Sequence, residues 1–200
     1  MRLAPLLLLA TLAVGSAQAQ AVFINEIHYD NAGGDVGETI EVAGPAGASL
    51  VGWTLVLYNG NDQEVYSTRE IGGVIPNERD NAGAVAVGYP SNGIQNGDSD
   101  GIALVDAQGV VVQFLSYEGT LTAADGPAAG MTSTDIGVSE PSNTPVGQSL
   151  QLIGTGTDYA DFTWAGPTSS SFGSLNDGQV LTAEGDGGGT GGAEARLVVN

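Results

Sequence analysis

The stretch Val22-Phe-Ile-Asn-Glu-Ile-His-Tyr-Asp30 decides how this chain folds. It is rich in Val, Ile, Phe and Tyr, the residue types that favour β-strands. A second short apolar stretch, Glu38–Val42, follows the linker Asn31-Ala-Gly-Gly-Asp-Val-Gly37, which consists mainly of turn-forming residues. The two stretches therefore predict a pair of neighbouring strands joined by a loop.

Short alternating runs continue along the chain, and no segment after residue 19 has apolar residues at helical spacing. Between Gly52 and Tyr58, for example, Trp53, Leu55 and Leu57 fall on one face of a strand. About eight or nine short strands separated by turns predict an all-β fold, an immunoglobulin-like antiparallel β-sandwich. A closed eight-stranded barrel of roughly the same composition is the alternative. The other predicted strands are Glu64–Tyr66, Ala84–Tyr89, Gly101–Val105, Val110–Tyr117, Ser149–Ile153 and Asp161–Trp164.

The first 19 residues have the layout of a secretory signal peptide. Arg2 is followed by the apolar run Leu6–Val14 and by the small-residue site Ala17-Gln-Ala19. Cleavage is expected after Ala19, which predicts a secreted, extracellular protein. The run is too short to cross a bilayer, and no later stretch approaches the roughly 20 apolar residues that a spanning helix needs.

Beyond the predicted sandwich, residues 20–183, the composition changes. Residues 184–194 are glycine-rich and predict a flexible linker. Residues 195–200, Ala-Arg-Leu-Val-Val-Asn, return to the pattern of Val22–Asn25, which predicts the start of a second module in tandem. A chance match in a frayed tail is the alternative.

The mature chain is strongly acidic. Without residues 1–19 it keeps three arginines, no lysine and 23 acidic residues, so its formal charge is 3 − 23 = −20. Because each phosphate contact with nucleic acid needs a Lys or Arg, we expect no direct nucleic-acid binding. The chain has no cysteine, which excludes a disulfide framework. Its stability must therefore come from burial.

Three functional side chains alternate along the opening strand. If that strand is regular, Glu26, His28 and Asp30 leave the same face about 7 Å apart. With one histidine and no cysteine in the chain, however, they cannot form a common zinc site, and no Gly-x-Ser-x-Gly motif accompanies them. The chain is therefore predicted to be no enzyme. In the structural interpretation, Glu26 forms a capping or paired contact inside the sandwich, and an arginine is one candidate partner. His28 is then expected to face solvent.

The segment Asn96-Gly-Asp-Ser-Asp-Gly101 resembles the front half of an EF-hand calcium loop. Oxygen-bearing side chains at alternate positions make Asn96, Asp98 and Asp100 candidate calcium ligands. The twelfth position, which needs a bidentate Glu, is Ala107. A turn that leads into the next strand is the alternative interpretation. No cofactor is required by either interpretation, and calcium is the one ion that the first predicts.

Two tryptophans are candidates for stacking against sugars. Trp53 is in phase with Leu55 and Leu57, which favours a core position. Trp164, beside Ala165-Gly-Pro167, is not determined by its surroundings in the sequence. A secreted acidic sandwich with an exposed aromatic residue is also typical of a carbohydrate-binding module.

Several motifs follow one another across about residues 22–180: Ile24–Ile27 with His28–Asp30, Glu38 with Ile40–Val42, Gly52-Trp53 with Leu55–Gly60, Asp100–Leu104 and Phe172–Gln179. Taken in order, these motifs resemble the lamin tail domain as it occurs in exported bacterial proteins. No single motif is specific, and the likeness rests on their order and spacing. Phe172 departs from the proline common at its position, and the chain has neither the heptad rod nor the prenylation cysteine of nuclear lamins.

The resemblance implies an immunoglobulin-like sandwich with no catalytic site of its own. Such domains accompany extracellular nucleases and phosphatases, which predicts an accessory, targeting or protein-interaction module of a larger exported enzyme. Its expected partner is a protein or a glycan. The alternative function is a free-standing surface adhesion or carbohydrate-binding module.

Overall fold

In the computed structural model, residues 22–183 are described, and eleven β-strands account for most of their regular structure. A single 3₁₀ turn, Tyr159–Asp161, interrupts the strands. The strands are β1 Phe23–His28, β2 Thr39–Pro45, β3 Thr54–Tyr58, β4 Val65–Glu70, β5 Ala82–Gly88, β6 Gly101–Val105, β7 Val111–Ser116, β8 Thr134–Asp135, β9 Gln148–Gly156, β10 Phe162–Ser169 and β11 Gln179–Leu181.

The strands form two separate sheets. The first has the order β10-β9-β1-β2-β5, and β11 pairs in parallel with the end of β9. The second has the order β4-β3-β6-β7-β8, in which only the short β8 is parallel to its neighbour. The predicted all-β sandwich is confirmed, and the barrel is not formed by residues 22–183. The strand number exceeds the prediction because β8 and β11 are too short to show an alternating pattern.

One core fills the space between the sheets. Ile24 and Ile27 of β1 and Leu55 and Leu57 of β3 are fully buried members of the same apolar cluster. Alternation of side chains along each strand directs these residues inward. Trp53 is partly buried against this cluster, as its phase with Leu55 predicts. Hydrophobic burial at the sheet interface is therefore what holds the two layers together.

A β-bulge in β1 decides which side chains enter this core. The register with β2 pairs Ile24 with Val42 and Glu26 with Glu41, so Asn25 is an extra residue on β1. In an unbroken strand, residues three apart point to opposite faces. The bulge allows Ile24 and Ile27 to be buried in one core, and it leaves Asn25 and Glu26 together on the outer face, opposite Glu41.

The long loop from residue 118 to 147 covers the outer face of the second sheet. Leu121 and Ala128 from this loop pack with Val56, Tyr58 and Phe114 in a second apolar cluster. The Tyr58 hydroxyl accepts the backbone N–H of Ala128 at 3.0 Å. Both faces of the second sheet are therefore buried in this region.

Truncating Ile27 to Ala should test the position of the core. Ile27 is a fully buried residue of β1, so the lost contacts and the remaining cavity should lower the free energy of unfolding by about 2–5 kcal/mol. Urea unfolding measures the change. Val51→Ala is the matched control, because Val51 is 68% exposed and should change stability by no more than about 0.5 kcal/mol. Equal effects of the two substitutions would contradict the assigned core.

Candidate functional site

The three functional side chains predicted to share one face of β1 are separated in the structure. Glu26 enters a polar network on the outer face of the first sheet, whereas His28, the last residue of that strand, contacts Glu140. Asp30 comes after the strand has ended. The three residues therefore do not form a common acid–base or metal site. Among residues 22–183, no group of three or more His, Cys, Asp or Glu side chains has the geometry to hold a metal ion.

Glu26 is fully buried and accepts hydrogen bonds from three residues. The Ser149 hydroxyl lies at 2.5 Å, the Gln151 amide nitrogen at 3.1 Å, and the backbone N–H of Ser171 at 2.8 Å from Oε1. Burial raises the pKa of Glu26, although these bonds act in the opposite direction. The predicted arginine partner is wrong: Arg69 stacks over the Tyr89 ring, and Arg79 donates to the backbone carbonyls of Asn176, in the closing loop of residues 171–178, and of Gln179.

Glu41, opposite Glu26 on β2, anchors the same closing loop, residues 171–178. Its carboxylate accepts Asn25 Nδ2 at 3.0 Å and the backbone N–H of Gly173 at 2.6 Å. Asn176 then donates to the carbonyls of Asn25 and Leu152. Burial raises the pKa of Glu41 to about 8, with a smaller contribution in the same direction from the nearby Glu26 carboxylate. The loop is thus fastened to the sheet by carboxylates and amides.

The prediction that His28 faces solvent is wrong. His28 is only 2% exposed, and its Nδ1 lies 2.9 Å from Glu140 Oε1. Burial lowers the pKa of His28, but the hydrogen bond and charge of Glu140 outweigh this effect and leave it raised. This is the one ion pair within residues 22–183. The imidazole therefore holds the long loop against the end of β1.

Glu140 also completes the end of β1. One of its oxygens accepts the backbone N–H groups of Tyr29 at 2.7 Å and Asp30 at 3.0 Å. Its own backbone N–H donates to the Tyr29 hydroxyl at 2.8 Å, and that hydroxyl donates to Glu118. A single buried carboxylate thus satisfies three donors from the opening segment, which explains why the long loop is ordered here.

The candidate calcium ligands lie around one polar cleft of about 410 Å³. Asn96 and Asp98 stand at its exposed rim, whereas Asp100 is 2% exposed beneath them. Both Asp100 oxygens are already occupied by backbone N–H groups, those of Gly60 at 2.8 Å and Gly97 at 2.9 Å. Burial raises the pKa of Asp100, and these bonds lower it. Calcium binding by the three residues stays a prediction.

Loops from three parts of the chain meet at this cleft. Glu38, fully buried, accepts the N–H groups of Gly93 and Ile94, both at 2.8 Å. Asp35 connects the loop after β1 to the same region, because its Oδ2 accepts Asn96 Nδ2 at 3.1 Å. Sequence reasoning missed the amide residues of the rim, although their Asn-Gly dipeptides were visible as turn signals. The lining residues are Asp35, Asn59, Asn61, Asn92, Ile94, Gln95, Asn96, Gly97, Asp98 and Asp100.

Neither tryptophan presents an open ring for stacking. Trp164 is 7% exposed, and its Nε1 donates to the Tyr159 hydroxyl at 2.9 Å. Trp53 is partly covered by the main core. Between residues 22 and 183 the structure contains no helix with the length and apolarity needed to cross a membrane. Comparison with protein-family models, curated proteins and solved structures returned no match to this chain.

Replacing Glu140 with Ala should detach the long loop from β1. The substitution leaves His28 Nδ1 and the N–H groups of Tyr29 and Asp30 without their acceptor, so we expect a loss of about 3–5 kcal/mol in unfolding free energy. Hydrogen exchange at Tyr29 and Asp30 should accelerate in step. Glu118→Ala, which removes only the exposed partner of the Tyr29 hydroxyl, should cost about 1 kcal/mol. Similar losses in both variants would argue against the Glu140 anchor.

Glu41 should make the protein lose stability as pH rises. Its folded pKa of about 8 lies above the ordinary value of 4.5, so its contribution is complete below pH 4.5 and disappears as pH increases through 8. Urea unfolding from pH 5 to 8 should therefore show falling stability. Glu41→Gln should flatten the upper part of this curve, while Asp177→Asn, an exposed control in the closing loop, should keep it. An unchanged curve in the Glu41 variant would refute this assignment.

Proposed function

We propose that this chain is a secreted, non-catalytic module of lamin-tail type with an accessory, targeting or protein-interaction role. We place it at the N-terminal end of a larger extracellular nuclease or related phosphoesterase, with residues 184–194 as the linker. The fold class and the ordered motifs support the proposal. The observation that carries it is that the chemically reactive residues of those motifs are committed to internal contacts.

The opening and closing motifs meet in one network, which supports a structural role for both. Asn25 and Glu26 come from the first motif, and Asn176 and Gln179 come from the last. Gln179 Nε2 donates to Asn25 Oδ1 at 2.7 Å, and Asn176 Nδ2 donates to the Asn25 carbonyl at 3.1 Å. Residues more than 150 positions apart in sequence thus close the sandwich, and none of them is presented to a substrate.

The non-catalytic assignment is supported by access as well as by residue type. A general base must come within hydrogen-bond reach of a substrate proton, or reach it through one water. His28 is buried and engaged by Glu140, and Glu26 is covered by the closing loop. The open cleft is lined by amides and carboxylates with Ile94, and its described lining includes no hydroxyl, thiol, amine or imidazole. Catalysis is therefore assigned to another part of the parent protein.

A free-standing adhesion or carbohydrate-binding module is the second candidate. In the sequence, this function was supported by two tryptophans that could stack against sugars. The burial of Trp164 removes the stronger of these two candidates. The observation that still favours it is the polar cleft beside Asn96. The predicted signal peptide, linker and second module belong to residues 1–21 and 184–200, outside the described residues.

The proposed role separates binding from turnover in the parent protein. Purified chain should hydrolyse neither nucleic acid nor simple phosphodiesters, and His28→Ala should change no activity. Reading the gene in frame past residue 200 should identify a phosphoesterase domain. Deleting residues 22–183 from that enzyme should leave its rate on a small soluble phosphodiester within about twofold. The same deletion should reduce the retention of the enzyme at the cell surface. Phosphodiesterase activity that His28→Ala abolishes, or a gene without such a domain, would defeat the proposal.

A further inference from the structure

The rim of the polar cleft repeats one local arrangement. Asn59, Asn92 and Asn96 each precede a glycine, and the N–H of each of those glycines donates to a buried carboxylate. The acceptors are Asp100 for the first and third loops and Glu38 for the second. Glycine is required at least after Asn59, since a Cβ at that position would collide with the Asp98 carbonyl. The carboxylates therefore fix the loop backbones from below, and the asparagine side chains stand above them.

Two of these asparagines are oriented by their own hydrogen bonds. Asn59 Oδ1 accepts the N–H of Asn61 at 2.7 Å, and Asn92 Oδ1 accepts the N–H of Asp35 at 3.2 Å. An amide that accepts through oxygen must direct its NH₂ group elsewhere. No residue in the described range accepts a hydrogen bond from Nδ2 of either side chain. Two preorganised NH₂ donors thus line the cleft, close to the exposed carboxylate of Asp98.

The charges of the cleft decide which ligands suit it. An anion would meet Asp98 and the strongly acidic chain as a whole, so it is repelled. A cation would compete with N–H donors for the oxygens of Asp100 and Asp35, because each of these oxygens already accepts one hydrogen bond. A hydroxyl group accepts a bond from an amide NH₂ and donates one to a carboxylate, so it satisfies both kinds of group. Neighbouring hydroxyls on one molecule can therefore bond to several of these amide and carboxylate groups at once.

We infer that this cleft is a binding site for a neutral, polyhydroxylated ligand, a short saccharide, held by Nδ2 of Asn59 and Asn92 and by the Asp98 carboxylate. Its volume of about 410 Å³ is within the range of small-molecule sites. The cleft lining has no aromatic ring to add stacking energy, so we expect a Kd of about 1 mM for a single chain. The site rests on the second candidate function, for which it names the ligand class and the binding residues, and it is independent of which catalytic domain the parent protein carries.

NMR titration of the full exported chain tests the site. Neutral hexose, pentose and N-acetylhexosamine oligosaccharides are added in turn, and the amide resonances of Gly60, Gly93 and Gly97 are followed. At least one sugar should shift them in a saturable way. Asn59→Asp and Asn92→Asp keep the Oδ1 acceptor but remove the NH₂ donor, so each should weaken binding about tenfold or more. Asn143→Asp adds the same charge at an exposed position outside the cleft and should stay within about twofold.

The outcomes separate the saccharide from other occupants. Thermal melts of the variants show that they remain folded, and calcium chloride alone is titrated in parallel. Saturable shifts with a sugar that both Asp variants weaken and the control does not would support the site. Shifts with calcium but with no sugar would make the cleft a cation site and overturn the inference. No response to any sugar, or binding unaffected by Asn59→Asp and Asn92→Asp, would overturn it as well.

Discussion

Buried carboxylates that accept backbone N–H groups are the interaction on which this structure depends. A loop that crosses a sheet carries N–H donors that must be satisfied once they leave water. In this protein Glu26, Glu38, Glu41, Glu140 and Asp100 each lie at 2% exposure or less and each accepts at least one such donor. Each carboxyl group has two oxygens and can accept several donors, so a few of them hold long loops that have little secondary structure.

The same arrangement explains how so acidic a chain closes a core with only two arginines in its described part. A buried carboxylate is costly without a partner, and an ion pair is the usual remedy. Here Glu140 is the one buried carboxylate of the five that has an ion-pair partner in the described residues. The other four are stabilised by peptide N–H groups, amides and hydroxyls instead. The consequence is visible in the pKa directions: burial raises those of Glu26, Glu38, Glu41 and Asp100. Loop attachment is therefore linked to protonation at several sites at once.

Local patterns in the sequence were sufficient for the fold class but not for the position of the functional side chains. Val, Ile and Phe in β1 predict a strand wherever it packs, because strand preference is a property of these residues. The bulge at Asn25 depends on partners that come much later in the chain, such as Gln179. His28 contacts Glu140, which lies 112 residues later in the sequence, and the spacing of apolar residues does not predict such a contact. The Asn-Gly turns were visible, but their convergence on one cleft required the topology of two sheets.

A loop held by its backbone leaves its side chains available, and this division connects the architecture to binding. At the closing loop, the side chains of Asn176 and Ser171 also turn inward and donate to groups of the first sheet. At the cleft, the carboxylates of Glu38 and Asp100 take only main-chain groups, and the asparagines remain outside with fixed orientation. A preorganised donor loses less entropy on binding than a mobile one. The same kind of buried carboxylate therefore has two different effects in one molecule. At the closing loop it binds side chains as well as backbone N–H groups, whereas at the cleft it binds only backbone N–H groups and leaves the asparagine side chains free to contact a ligand.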